Sequence, residues 1–113
     1  METQISNNEL NIEILQIKKA ALVLRAVNHK LRQLILNLIH QNGRMTVTSL
    51  YIKLRLEQSV TSQHLAILRK AGFVLTERNG KNIFYTVHYK RLEEVHQYCD
   101  LLLGKDLQKE ESQ

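Results

Sequence analysis

The 113-residue chain is 43% hydrophobic and 24% charged, the balance of one globular domain with a single modest core. No apolar run approaches the roughly 20 residues of a membrane span, and METQISNNEL has neither the basic nor the apolar segment of a secretory signal. The lone cysteine, Cys99, excludes an internal disulfide framework and suits a reducing cytoplasm, and the net charge of +5 favours a polyanionic partner.

Ser6 and Glu9 stand at the spacing of a capping box and predict a first helix that runs to about Val27. Leu10, Ile14, Ile17, Ala21 and Leu24 recur at four-three spacing on one stripe, and Leu15, Leu22 and Ala26 form another. Two apolar faces imply two partners, the helix's own core and another subunit. A second helix, about His29 to Gln41, is apolar at Leu31, Leu34, Ile35, Leu38 and Ile39 and stops before Gly43. Met45-Thr46-Val47 is a short patch with strand character, and Thr48 is placed to cap a short third helix through Leu54. Arg55-Leu56-Glu57 turns the chain into a fourth helix over 58–71, closed by Gly72. FVLTERNGKNIFYTVH reads as a hairpin with Asn79-Gly80 at its turn, where positive φ is needed. A last helix, about Lys90 to Leu103, is striped by Leu92, Val95, Cys99 and Leu102 and ends at Gly104.

A short helix, a tight turn and a second helix form a helix-turn-helix, and the basic hairpin behind it makes that unit winged. The predicted fold is mainly α with a small β-hairpin (α+β), a single domain over 1–113. Its parts are a dimerisation helix over about 1–28, the helix-turn-helix over 48–71 and the wing over 73–88. A second dimerisation helix over 90–103 and a flexible tail over 104–113 complete it.

Charge is divided along the chain. Between residues 58 and 91, Arg69, Lys70, Arg78, Lys81, Lys90 and Arg91 face only Glu77, whereas residues 92–113 hold two lysines against six carboxylates. An α-helix fits the major groove, and short polar side chains on it reach base edges. With Thr61, Leu65 and Leu68 turned to the core, Gln58, Ser59, Val60, Ser62 and Gln63 project outward near the helix N-terminus. That end enters the groove, and its free amides attract phosphate. Gln63 or Gln58 suits adenine, the serines suit phosphate or base, and Val60 suits a thymine methyl. Arg78 and Lys81 flank the hairpin turn and reach the DNA backbone or minor groove, so binding to double-stranded DNA should depend steeply on salt. Any one of these side chains, taken alone, is more often an ordinary solvated surface residue; the combination points to DNA.

At these residues the sequence resembles the ArsR family of bacterial winged-helix repressors. The likeness covers about residues 20–103 and is carried by NHKLRQLILNLI, by Ser62-Gln63-His64-Leu65, by Leu68-Arg69 with Ala71-Gly72, and by Tyr85-Thr86-Val87. The resemblance implies a homodimer built from the first and last helices, bound to an inverted-repeat operator to repress transcription. Leu10, Ile14, Ile17, Leu92, Val95, Cys99 and Leu102 are the interface residues on that reading. His64 either contacts backbone phosphate or packs against the turn, and it is grouped with the DNA-facing set. His29, His40 and His88 are isolated, in surface or capping positions.

The metal chemistry of many members does not carry over. The family's Cys-x-Cys is here Thr46-Val47-Thr48, and its Asp-x-His is Tyr89-Lys90-Arg91. The downstream ligand pair falls near Leu102 and Lys105, so neither a metal nor a cofactor is expected. His96 and Cys99, three apart on the last helix, are the remaining pair with soft-metal or redox chemistry, set against a plain buried thiol beside an interface histidine. Arg55 stands where the turn usually carries glycine, and Glu57 where a better N-cap is usual. There is no phosphate loop, nucleophile elbow or HExxH, so no enzymatic activity is expected. Two other readings stay open: a winged helix used for protein contact, which needs no basic face, and a DNA-binding switch worked by Cys99 and His96.

Overall fold

The computed structural model describes residues 4–6 and 9–105, with side chains from Leu10 onward. Two short strands, β1 (Gln4–Ser6) and β2 (Glu9–Asn11), lead into helix α1 (Ile14–Val27). Helices α2 (Lys30–Asn42), α3 (Val47–Leu54) and α4 (Gln58–Lys70) follow. Strands β3 (Val74–Asn79) and β4 (Asn82–Val87) form the wing, and α5 (Tyr89–Leu102) comes last. The architecture is a winged helix-turn-helix.

The N-terminus departs from expectation. β1 and β2 pair antiparallel with Ser6 opposite Glu9, so these residues face each other across a ribbon and do not cap a helix. Residues three apart meet across a two-residue connection as readily as they close a capping box. Helix α1 starts only at Ile14, with no side-chain cap at Glu13, and Leu10 belongs to β2 rather than to the helical stripe.

The cap of α3 also moves. Met45 exchanges backbone bonds with Tyr85 (N to O 3.1 Å, and 2.7 Å in return), which holds the chain extended into Thr46. An N-cap needs that extended backbone. Thr46 Oγ1 accepts from the Ser49 amide at 3.1 Å, and Thr48, the expected cap, lies inside the helix and exposed.

After α4 the Gly72 amide donates to Arg69 O at 3.0 Å and the Phe73 amide to Leu68 O at 2.9 Å, around Gly72 at φ +89°. After α3 the same ladder runs from Arg55 to Ile52 O (3.2 Å) and from Leu56 to Tyr51 O (3.0 Å). Arg55 takes the left-handed position there, at φ +57°. Arg55-Leu56-Glu57 is thus the turn of the helix-turn-helix.

In the wing Asn79 pairs with Asn82, which puts Gly80 and Lys81 at the turn and leaves Asn79 in the strand. Gly80 has φ +66° while Lys81 does not share the positive φ, the pattern of a turn with glycine first rather than the expected Asn-Gly turn. This register sets buried Val74 against buried Val87 and leaves Tyr85 free to bridge Met45 on its other edge.

Ile35 and Ile39 of α2, Leu50 of α3, Leu65 and Leu68 of α4, and Phe73, Val74 and Val87 of the wing base make the core. Helix α1 joins it only at its C-terminal end, through buried Ala26 with Val23 and Val27 beside it.

Candidate nucleic-acid interface

Helix α4 divides lengthwise. Thr61, Leu65 and Leu68 are buried, as their four-three spacing requires, while Gln58, Ser59, Ser62 and Gln63 are exposed and Val60 is half-buried. The polar residues read as base contacts therefore share one open surface at the start of the helix. Glu57 makes no side-chain cap bond to the first amides of α4.

Lys81 lies in the wing turn itself, closer to its tip than a flanking position, and Arg78 sits one pair back, opposite Ile83; both are exposed. Arg44, from the loop before α3, holds the middle of the wing. Its Cζ lies 4.0 Å over the Phe84 ring and its Nη1 is 3.5 Å from Glu77 Oε1. This exposed ion pair adds little stability. Its effect is electrostatic: Glu77, the one acid among the cations of residues 58–91, is offset by Arg44 beside the wing tip.

His64 is not on the open surface with the other α4 residues. It is half-buried, with Nδ1 3.3 Å from Arg32 Nη1 and its ring 5.0 Å from that of His29. Burial first, and then the neighbouring His29 and Arg32, hold its pKa below the ordinary histidine value of 6.5. His64 thus lies against Arg32 and His29, where the sequence alone suggests backbone phosphate or the turn. Arg32 itself was not singled out from the sequence, although it shares the buried face of Ile35, Leu36 and Ile39 at helical spacing. His29 caps α2, its Nδ1 accepting from the amides of Leu31 (3.2 Å) and Arg32 (3.4 Å). His40 and His88 also have partners, Tyr89 Oη at 2.7 Å and Gly72 O at 2.9 Å.

The residues read as a dimer interface separate into two groups. Leu10, Ile14, Ile17 and Leu102 are exposed, and Leu15, Leu22, Leu101 and Leu103 join them as bare apolar side chains. Leu92 and Val95 instead pack against the core of their own chain, and Cys99 is half-buried.

The positions matched above to the family's metal motifs are occupied structurally. Thr46 caps α3, Tyr89 bonds His40, and Arg91 Nε donates to Ala71 O at 3.0 Å. His96 Nε2 lies 3.5 Å from Oδ2 of Asp100, a buried carboxylate not singled out from the sequence. Among the described residues, no three or more His, Cys, Asp or Glu side chains are grouped to hold a metal. None of the described helices is long and apolar enough to cross a membrane.

The profile of the arsR family of bacterial regulatory proteins matches residues 29–76, from the cap of α2 into the wing. An HTH-type transcriptional regulator of Methanocaldococcus jannaschii is 35% identical over 85 residues, a match spanning 75% of this chain and 96% of that relative. The chain belongs to the ArsR family. A second relative, the transcriptional repressor PagR of Bacillus anthracis, is 32% identical over 85 residues, 74% of this chain and 84% of PagR. The PagR crystal structure superposes with a TM-score of 0.60 at 28% identity, over 74% of this chain and 94% of that one. An ArsR-like regulator from Rhodococcus shares the fold, with a TM-score of 0.70 at 20% identity over 80% of this chain and 85% of that one. ArsR-family proteins are DNA-binding transcriptional regulators, and the matched span in this chain takes in α2, the helix-turn-helix and the start of its wing.

Proposed function

We propose that the chain is a homodimeric, cytoplasmic repressor that binds an inverted-repeat operator, with α4 in the major groove and the wing on the backbone beside it. The observation that carries this reading is the open polar surface of Gln58, Ser59, Ser62 and Gln63 on the first turns of α4, in a segment that also holds the exposed wing cations Arg78 and Lys81. Gln63, with Gln58, reads adenine, Val60 meets a thymine methyl, and the serines bond phosphate or base. Lys81 and Arg78 clamp the backbone. The likeness to PagR supports repression, and the bare leucines and isoleucines of α1 and α5 support a second copy. Metal does not control this repressor through the family's usual positions, because Thr46, Thr48, Tyr89 and Arg91 offer no thiolate or imidazole.

The test separates reader from clamp on duplexes selected by the wild type from a random pool. Gln63→Ala should cost about 1–3 kcal/mol on the selected site and little on unrelated DNA. Lys81→Ala should weaken all duplexes alike and lower the slope of log affinity against log salt by about 1. Two variants with the same profile across sequence and salt would refute this division of labour.

A further inference from the structure

Arg32 is buried, and three of its N–H groups are engaged. Nε donates to Ala26 O at 2.6 Å, Nη2 to Arg25 O at 3.2 Å, and Nη1 to His64 Nδ1 at 3.3 Å. The first two acceptors are carbonyls in the last turn of α1, which the helix itself leaves without partners and where its dipole is negative. A buried guanidinium needs such compensation, and among the described residues no carboxylate lies within ion-pairing distance of Arg32, His29 or His64. The groups facing the His64 ring are therefore Arg32 of α2 and His29 at the α2 cap. Its Nδ1 can accept from Arg32 only while that nitrogen carries no proton. One side chain of α2 thus ties the end of α1 to the middle of the proposed recognition helix, and the tie runs through a lone pair that acid removes.

We propose that His64 is a positioning residue for DNA binding: as a neutral acceptor for Arg32 it fixes α4 to the end of α1, and its protonation releases α4 and weakens DNA binding. This rests on the reading of α4 as the recognition helix. The downward displacement of the His64 pKa agrees with it, since burial, His29 and Arg32 all oppose the charged ring. The sign of the pH effect is diagnostic. Acid adds positive charge to the protein, and backbone electrostatics alone would then tighten binding to a polyanion. A His64 that touched phosphate would strengthen that trend. The clamp predicts the reverse.

The experiment measures binding by fluorescence anisotropy on a duplex selected from a random pool, at fixed ionic strength from about pH 7.5 to about pH 5.5. The wild type should lose on the order of tenfold in affinity, as one proton per subunit opposing binding allows. His64→Gln keeps a neutral acceptor that does not titrate and should lose little over the same interval. A wild type that binds more tightly in acid, or a variant that falls in parallel with it, overturns the proposal. A second measurement needs no DNA and no variant: in NMR spectra of the wild type, the Arg32 Nε–H signal should shift with the same midpoint as the His64 ring. An Arg32 signal indifferent to His64 overturns the clamp even if DNA binds. A shared midpoint in a chain that binds no duplex at any pH overturns the role in DNA binding through failure of the proposed function, with the clamp itself intact.

Discussion

Three helices in this chain end on the same pair of backbone bonds and differ in the residue at the left-handed position: Arg55 after α3, Gly72 after α4 and Gly104 after α5. A side chain in that conformation crowds the following carbonyl, at roughly 1–2 kcal/mol. Arg55→Gly removes the crowding but gives the unfolded chain more freedom, so the net gain in stability should be up to about 1 kcal/mol. Gly72→Ala meets two obstacles. Its φ is +89°, and an added Cβ would lie 3.1 Å from Arg91 Nε, which is bonded to Ala71 O. The expected loss is about 2 kcal/mol, more than for Gly43→Ala, where nothing lies within 4 Å of the added carbon. Urea midpoints should therefore move in opposite directions for Arg55→Gly and Gly72→Ala. A Gly72→Ala protein no less stable than Gly43→Ala would show that Arg91 yields without cost.

At the scale of elements, the cap of α3 gives a direct comparison. Thr46→Ala removes the Oγ1 acceptor of the Ser49 amide and should cost about 1 kcal/mol in chemical denaturation. Thr48→Ala, inside the helix and exposed, should change stability by less than about 0.5 kcal/mol. The reverse order would put the cap back at Thr48. This pair also shows how much was legible in the sequence. Helices α2 to α5 could be read to within a residue or two because their apolar spacing is long and regular, as in Ile35 with Ile39 or Leu65 with Leu68. Short-range signals were ambiguous. Ser6 and Glu9 suit a capping box and a two-strand ribbon equally, and Asn79-Gly80 offered a turn that the pairing of Val74 with Val87 moved by one residue. The open surface of α4 was readable from the same spacing, in its complement. The clamp on His64 was not, because it joins residues 32 positions apart and depends on where α1 ends.

For the whole molecule, the prominent fact is surface left uncovered. Ile14, Leu15, Ile17 and Leu22 on α1, and Leu101, Leu102 and Leu103 at the end of α5, are each more than half exposed. The second copy proposed above would cover this apolar band. Leu102→Asp should shift the chain toward monomer in sedimentation equilibrium and weaken DNA binding with it, while Leu92→Ala should act mainly on stability, because Leu92 packs on its own core. A wild type that sediments as a monomer at tens of micromolar would remove α1 and α5 from any dimer. The bare flank of α1 has a further consequence inside a cell. In the proposed dimer these leucines are covered by another copy, and each tenfold dilution takes about 1.4 kcal/mol from the assembled form. Unassembled chains are the ones that proteases clear. The half-life of such a regulator rises with its own copy number, so a fall in synthesis is followed by faster loss. On the proposed dimeric reading, one helix flank then sharpens the passage from occupied operator to empty operator.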